Sequence, residues 1–398
     1  MDTLIERILR VTGLILVAGV VGVLAAGAAG EKGRSPKSEN GNAAEAYSED
    51  VKLRLQPAYG LWKHYDPNSA KYAFSACTPE KALAWQMETR KALDKLIGFQ
   101  NVPKVDPRPR LLEEVDKGDY TRQKLLIDTS GDTVMPVYIL LPKGLPVPLP
   151  VVIAFHGHGY GVDSIVGIRK DGAKRDQPEG YQKDFAIALC RRGFAVAAPE
   201  ISCFGQRQTD FSYLNKKLGQ GSPGTCKHTS NLAAHLGGTV LGLRVLDARR
   251  LIDYLQTRDE MDTSRLGVMG ISGGGMLTFF TSALDERIKA CVVSGYFCTF
   301  RDSILAVGHC QCNFIPGLAE FGEMSDIVGL IAPRPMLVEA GSVDPIFPIG
   351  PVKRAVRKAT GVYCVFDAEK ELETDYFEGK HQISGRRAYD FLMEKLSR

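Results

Sequence analysis

From Pro150 to the C-terminus the chain alternates between short apolar runs and amphipathic segments. VVIAF, FAVAAP, RLGVMG, IKACVVS and RPMLVEA are dense in apolar residues, as expected of parallel strands buried on both faces. Between them YQKDFAIALCRRG, GGMLTFFTSAL and VKRAVRKA have helical spacing. The clearest helix has Leu241, Val245, Ala248, Ile252 and Leu255 at steps of four and three. That periodicity assigns Arg244, Asp247, Asp253 and Gln256 to the opposite, polar side. ETDYFEG reads as a last strand and RRAYDFLMEKL as a C-terminal helix. Alternation of this kind predicts an α/β fold with a mostly parallel central sheet and helices on both faces.

Upstream the pattern changes. KLLIDT and VMPVYILLP are strand candidates separated by SGD, and Pro136 suits an edge strand, because proline cannot donate to a ladder. Residues 43–110 read as an N-terminal helical elaboration, with ALAWQMETRKALDKLIG its best helix, ahead of a main domain over 111–398. Residues 200–230 and 295–333 form two long excursions. Residues 1–30 carry Arg7 and Arg10, then an uncharged run over 11–30 with Ala26 and Ala28 in A-x-A spacing. This predicts a signal peptide or a membrane anchor, with the rest exported or tethered outside the cytoplasm. Residues 31–42 read as a flexible tether.

Composition narrows the picture further. The net charge of +4 is weak and no Lys/Arg block is interleaved with aromatics, which argues against nucleic acid as a partner. Nine cysteines leave at least one outside any intrachain pairing, and Cys291, in an apolar strand, suits a packed free thiol.

Ligand sites in such sheets lie beyond the carboxyl ends of the strands. Ser272 stands there, in G-I-S-G-G between a strand and a helix. A strained turn at that corner exposes the hydroxyl, and small residues at Gly270 and Gly274 relieve crowding, so Ser272 is the candidate nucleophile. A serine needs a base, and the base an orienting acid. His381, in the loop after the last strand, is the candidate base, with His309 the other histidine downstream of Ser272. Asp344, after RPMLVEA, is the candidate acid; Glu339 and Asp302 are its rivals. HGHG follows a buried strand, so the backbone N–H groups of His158 and Gly273 are the candidate oxyanion donors. His156 and His158 with Cys310 and Cys312 are weighed as metal ligands, but no spacing fixes their geometry and none is assigned. GHCQCN at 308–313 reads as a disulfide partner, a pocket wall or a buried structural turn, with the last two favoured over redox chemistry.

From about Pro150 the chain resembles the α/β-hydrolase superfamily, in its dienelactone-hydrolase-like and acetyl-xylan-esterase-like branch. The resemblance rests on HGHG, LGLRVLDARRLIDYL, RLGVMGISGGG, LIAPRPMLVEAGSVDPIFP and EGKHQISG in that order. It implies a Ser272–Asp344–His381 triad and ester hydrolysis without a cofactor. Dienelactone hydrolases proper use cysteine where this chain has serine. The expectation is therefore a serine carboxylic-ester hydrolase acting through an acyl-enzyme on a small or acetylated ester, carbohydrate esters included. The alternatives are a serine peptidase of the same superfamily and a non-catalytic binding protein on a hydrolase fold.

Overall fold

The computed structural model describes residues 47–175, 177–212 and 224–397. The apolar run at 11–30 and the tether at 31–42 lie outside the described residues. Among those described, no helix is long and apolar enough to cross a membrane. The chain divides into two units, one reaching to His64 and one from Tyr65 to the C-terminus. In the first, α1 (Glu49–Arg54) is capped by the Ser48 side chain and is followed by α2 (Pro57–Lys63), which has proline in its first turn.

The second unit is built on a nine-stranded sheet: β1 (Arg110–Asp116), β2 (Tyr120–Asp128), β3 (Val134–Pro142), β4 (Leu149–Phe155), β5 (Ala195–Pro199), β6 (Met261–Ile271), β7 (Ala290–Ser294), β8 (Met336–Gly341) and β9 (Leu372–Phe377). The spatial order is β1-β2-β3-β5-β4-β6-β7-β8-β9, antiparallel from β1 through the β3–β5 pair and parallel thereafter. Successive strand residues face opposite ways. Val151, Ile153 and Phe155 therefore join one core, and Val152 and Ala154 the other. The helices follow suit. α3 (Pro79–Ile97), α6 (Val240–Leu255), α7 (Gly273–Leu284) and α8 (Ile349–Cys364) feed the first core, while α4 (Phe185–Arg191) and α9 (Ala388–Leu396) feed the second. α5 (Thr225–His235) lies in the first excursion. α7 is buried along its whole length. Each of its phenylalanines, Phe279 and Phe280, contributes about 2–3 kcal/mol by leaving water, which fixes the helix that starts beside Ser272.

Four local expectations change. Pro136 is not on an edge: β3 is third in the sheet, and the proline is tolerated because it stands at the end of the β3–β5 ladder, where its carbonyl accepts the Glu200 N–H. β1 was not foreseen, since RLLEEVD is largely exposed and shows no alternation. α5 was not foreseen either; its sequence, TCKHTSNLAAH, is mostly polar. Arg244 and Asp247 leave the polar side, because the first excursion covers that face of α6 and both are buried.

Candidate active site

The strand ends Phe155, Ile271, Ser294 and Gly341 set the floor of the site. Ser272 directly follows β6 and caps α7 with φ +59° and ψ −119°, a left-handed conformation that costs a non-glycine residue on the order of 1–3 kcal/mol. Its neighbours must be glycine. A Cβ on Gly270 would stand 2.4 Å from the Gly274 carbonyl oxygen, and one on Gly274 would stand 2.0 Å from that of Phe155. We therefore expect Gly274→Ala to destabilise the fold by about 3 kcal/mol or more, read as a drop in the urea midpoint.

His381 is held on three sides. Its Nδ1 lies 2.7 Å from Asp344 Oδ2, and its ring is stacked between Tyr181 and Phe347, with centroids at 5.6 Å and 5.7 Å. Its Nε2 is buried without a hydrogen-bond partner. Asp344 Oδ1 accepts the backbone N–H groups of Ile346 and Phe347, at 2.9 Å and 3.0 Å. The carboxylate is thus anchored by the chain that follows it, with its other oxygen left for imidazole.

His158 and Gly273 face each other, since a Cβ on Gly273 would meet the His158 ring at 2.8 Å. Gly157 N–H is already donated to Gln182 Oε1 at 2.6 Å. The His158 N–H next to it has no hydrogen-bond partner among the described residues. The His158 carbonyl accepts the Tyr181 hydroxyl at 2.6 Å, so one tyrosine braces both this loop and the His381 ring. The His158 imidazole Nδ1 is 3.5 Å from Ser272 Oγ. Burial first, and then the Arg244 charge, push this ring down to about 4, so it is neutral at pH 7. Ser272, Gly273, His158, Tyr181, His309, Phe347 and His381 border one cavity of about 300 Å³.

The rival residues have other partners. Glu339 is buried and accepts Ser294 Oγ and the backbone N–H groups of Ser384 and Gly385, so it ties down the loop carrying His381. Burial pushes its carboxyl up. Asp302 pairs with Arg354. His309 Nε2 lies 3.2 Å from Ser303 Oγ, with its ring on the cavity wall. His156 is fully buried, its Nε2 3.1 Å from both Ile201 N and Glu200 Oε1, and serves the fold. Gly308 and Cys310 of GHCQCN also border the cavity, as a pocket wall would. The sequence reading missed Tyr181, Phe347 and Glu339's anchoring role, whose meaning depends on long-range packing.

Residues 51–365, well over half of the chain, match the Abhydrolase family. The chain belongs to that family. This abhydrolase is 30% identical over 291 residues to YtaP of Bacillus subtilis (strain 168), provisionally named a hydrolase, with 70% of the chain and 87% of YtaP covered. Among solved structures it is similar to a Bacteroides fragilis protein provisionally named an acetyl xylan esterase, with a TM-score of 0.67 at 18% identity, covering 81% and 82% of the two chains. It is also similar to a glucuronoyl esterase from Solibacter usitatus, with a TM-score of 0.57 at 16% identity, covering 79% and 94%. At these identities the likeness is one of fold, and that fold is the α/β-hydrolase architecture the alternating pattern predicts.

Proposed function

We propose that this abhydrolase is a serine carboxylic-ester hydrolase. One observation carries the reading: His381 holds Asp344 on Nδ1, has its buried Nε2 unpartnered, and borders the same cavity as Ser272. His381 takes the Ser272 proton as the hydroxyl attacks the ester carbonyl, then passes it to the leaving alcohol. Asp344 fixes the ring tautomer and stabilises the imidazolium. The N–H groups of His158 and Gly273, helped by the positive end of α7, bind the oxyanion. Water deprotonated by His381 then releases the acid from the acyl-enzyme.

The names of the relatives favour a small or acetylated carbohydrate ester as substrate, and the cavity is of a size for one acyl group and part of a sugar. The apolar run at 11–30 favours a place outside the cytoplasm. A fluorophosphonate probe should label the folded protein at a single peptide containing Ser272, and Ser272→Ala should not be labelled. Acetylated xylan and acetylated monosaccharides should be deacetylated faster than aminoacyl amides are cleaved. Absence of labelling, or a preference for the amides, would overturn the assignment.

A further inference from the structure

Four side chains distant in sequence converge beside Ser272. His158 follows β4, Cys226 is on α5, and Cys310 and Cys312 belong to the second excursion. The donor atoms of His158, Cys310 and Cys312 all lie within 4.8 Å of one another. His158 Nε2 is 3.8 Å from Cys312 Sγ, and Cys226 Sγ is 3.1 Å from Cys310 Sγ. A tetrahedral zinc ion bound by thiolates and imidazole spaces its ligand atoms by about 3.5–3.8 Å. Those three are therefore already close to the size of such a coordination sphere, and Cys226, which lies outside that 4.8 Å group, adjoins it through Cys310 and completes four donors by a small shift.

A second feature points the same way. Arg244 is only 1% exposed. Its Nη2 donates to the Ser202 carbonyl and its guanidinium lies 5.3 Å from the Phe204 ring centroid, but Nε and Nη1 have no hydrogen-bond partner and no carboxylate faces them among the described residues. Asp247, one turn along α6, is occupied by Arg207 and Ser202. Among the described residues Arg244 forms no ion pair, and the thiols of Cys312, Cys203 and Cys226 are the groups its charge acts on. A buried, unmatched guanidinium is unfavourable in a low dielectric. Three thiolates and a neutral imidazole around a divalent ion carry one net negative charge, which this guanidinium matches.

We propose that His158, Cys226, Cys310 and Cys312 form a site for a thiophilic divalent cation, with zinc the ion its donors favour. The sequence alone assigns no metal here, and the proposal goes beyond that reading. Cys226 and Cys310 are half-buried and Cys312 is buried, so an ion enters past the first two. Cys203 interacts with Cys226 but is not assigned as a ligand, because a fourth thiolate in place of imidazole would leave one charge unmatched. With all four positions filled by protein, the ion has no open position for substrate and its role is to hold structure. It joins the second excursion and α5 to the HGHG loop. It also places the His158 proton on Nδ1, the nitrogen facing Ser272 Oγ.

The test uses the full chain, reduced with a phosphine and stripped by chelator. It is titrated with Zn²⁺ against a chromophoric chelator, and separately with Co²⁺ read by absorbance. About one ion per chain is expected, with cobalt giving thiolate charge-transfer bands and tetrahedral d–d bands. Cys310→Ser and Cys312→Ser, checked for folding by circular dichroism, should each weaken binding by roughly 100-fold or more, and Cys203→Ser should bind as the parent does. The wild-type titration decides the matter even if a variant misfolds. No stoichiometric binding by the reduced wild type would overturn the site, as would full binding by the folded Cys310→Ser/Cys312→Ser protein. A Cys226–Cys310 disulfide that persists in the isolated protein as its resting state would do the same. Loss of binding in Cys203→Ser with retention in His158→Gln would overturn the ligand set.

Discussion

Turnover of a short-chain p-nitrophenyl ester should fall by roughly 10⁵- to 10⁶-fold when Ser272 is replaced by alanine. The substitution removes one oxygen from a corner that is already strained, at φ +59°. Alanine has the same backbone preferences there, so the strain is unchanged, and α7 remains locked by its buried length. Thermal unfolding should therefore shift little while kcat collapses. The residual rate would reflect substrate binding and oxyanion donors acting without a nucleophile. A variant that keeps its parent's kcat/KM would remove Ser272 from the mechanism and, with it, the acyl-enzyme.

Asp344→Asn should cost about 10⁴-fold in kcat with little change in KM. The reason lies in which oxygen does what. Oδ1 accepts two backbone N–H groups, so asparagine will keep its carbonyl oxygen there and turn its amide toward His381. An amide donates. Nδ1 of His381 must then accept, and the ring proton moves to Nε2, the atom that has to receive the Ser272 proton. The ring stays stacked and the cavity keeps its shape, so binding survives while proton transfer fails. Stopped-flow turnover beside a substrate-analogue binding curve separates the two. A parallel loss of affinity would mean that Asp344 shapes the pocket and does not set the tautomer.

Much of this candidate site could be read from local pattern. Ser272, Asp344 and His381 each follow a strand that periodicity identifies, and the G-x-S-x-G corner explains its own glycines. What escaped was tertiary. Arg244 occupies the polar side of an amphipathic helix by spacing, but the first excursion folds over it, and a heptad-scale pattern carries no information about a loop that returns from forty residues away. Pro136 reads as an edge residue because a strand pattern cannot show that it stands at the end of the ladder, where only its carbonyl is used. Cys310 and Cys312 are about 150 positions from His158, so their approach is set by the topology of the sheet and has no local signature. The same holds for Tyr181 and Phe347, whose importance is the ring they enclose.

That enclosure limits what the imidazole can do. With an aromatic plate on either flank and a carboxylate at one end, the ring of the proposed base is held in one place, and the proposed mechanism then leaves it no second station during the cycle. Acceptance and delivery of the proton then fall to movement of the bound acyl and alkoxy groups across a stationary base. Under that mechanism acylation and deacylation would share one pose of the base.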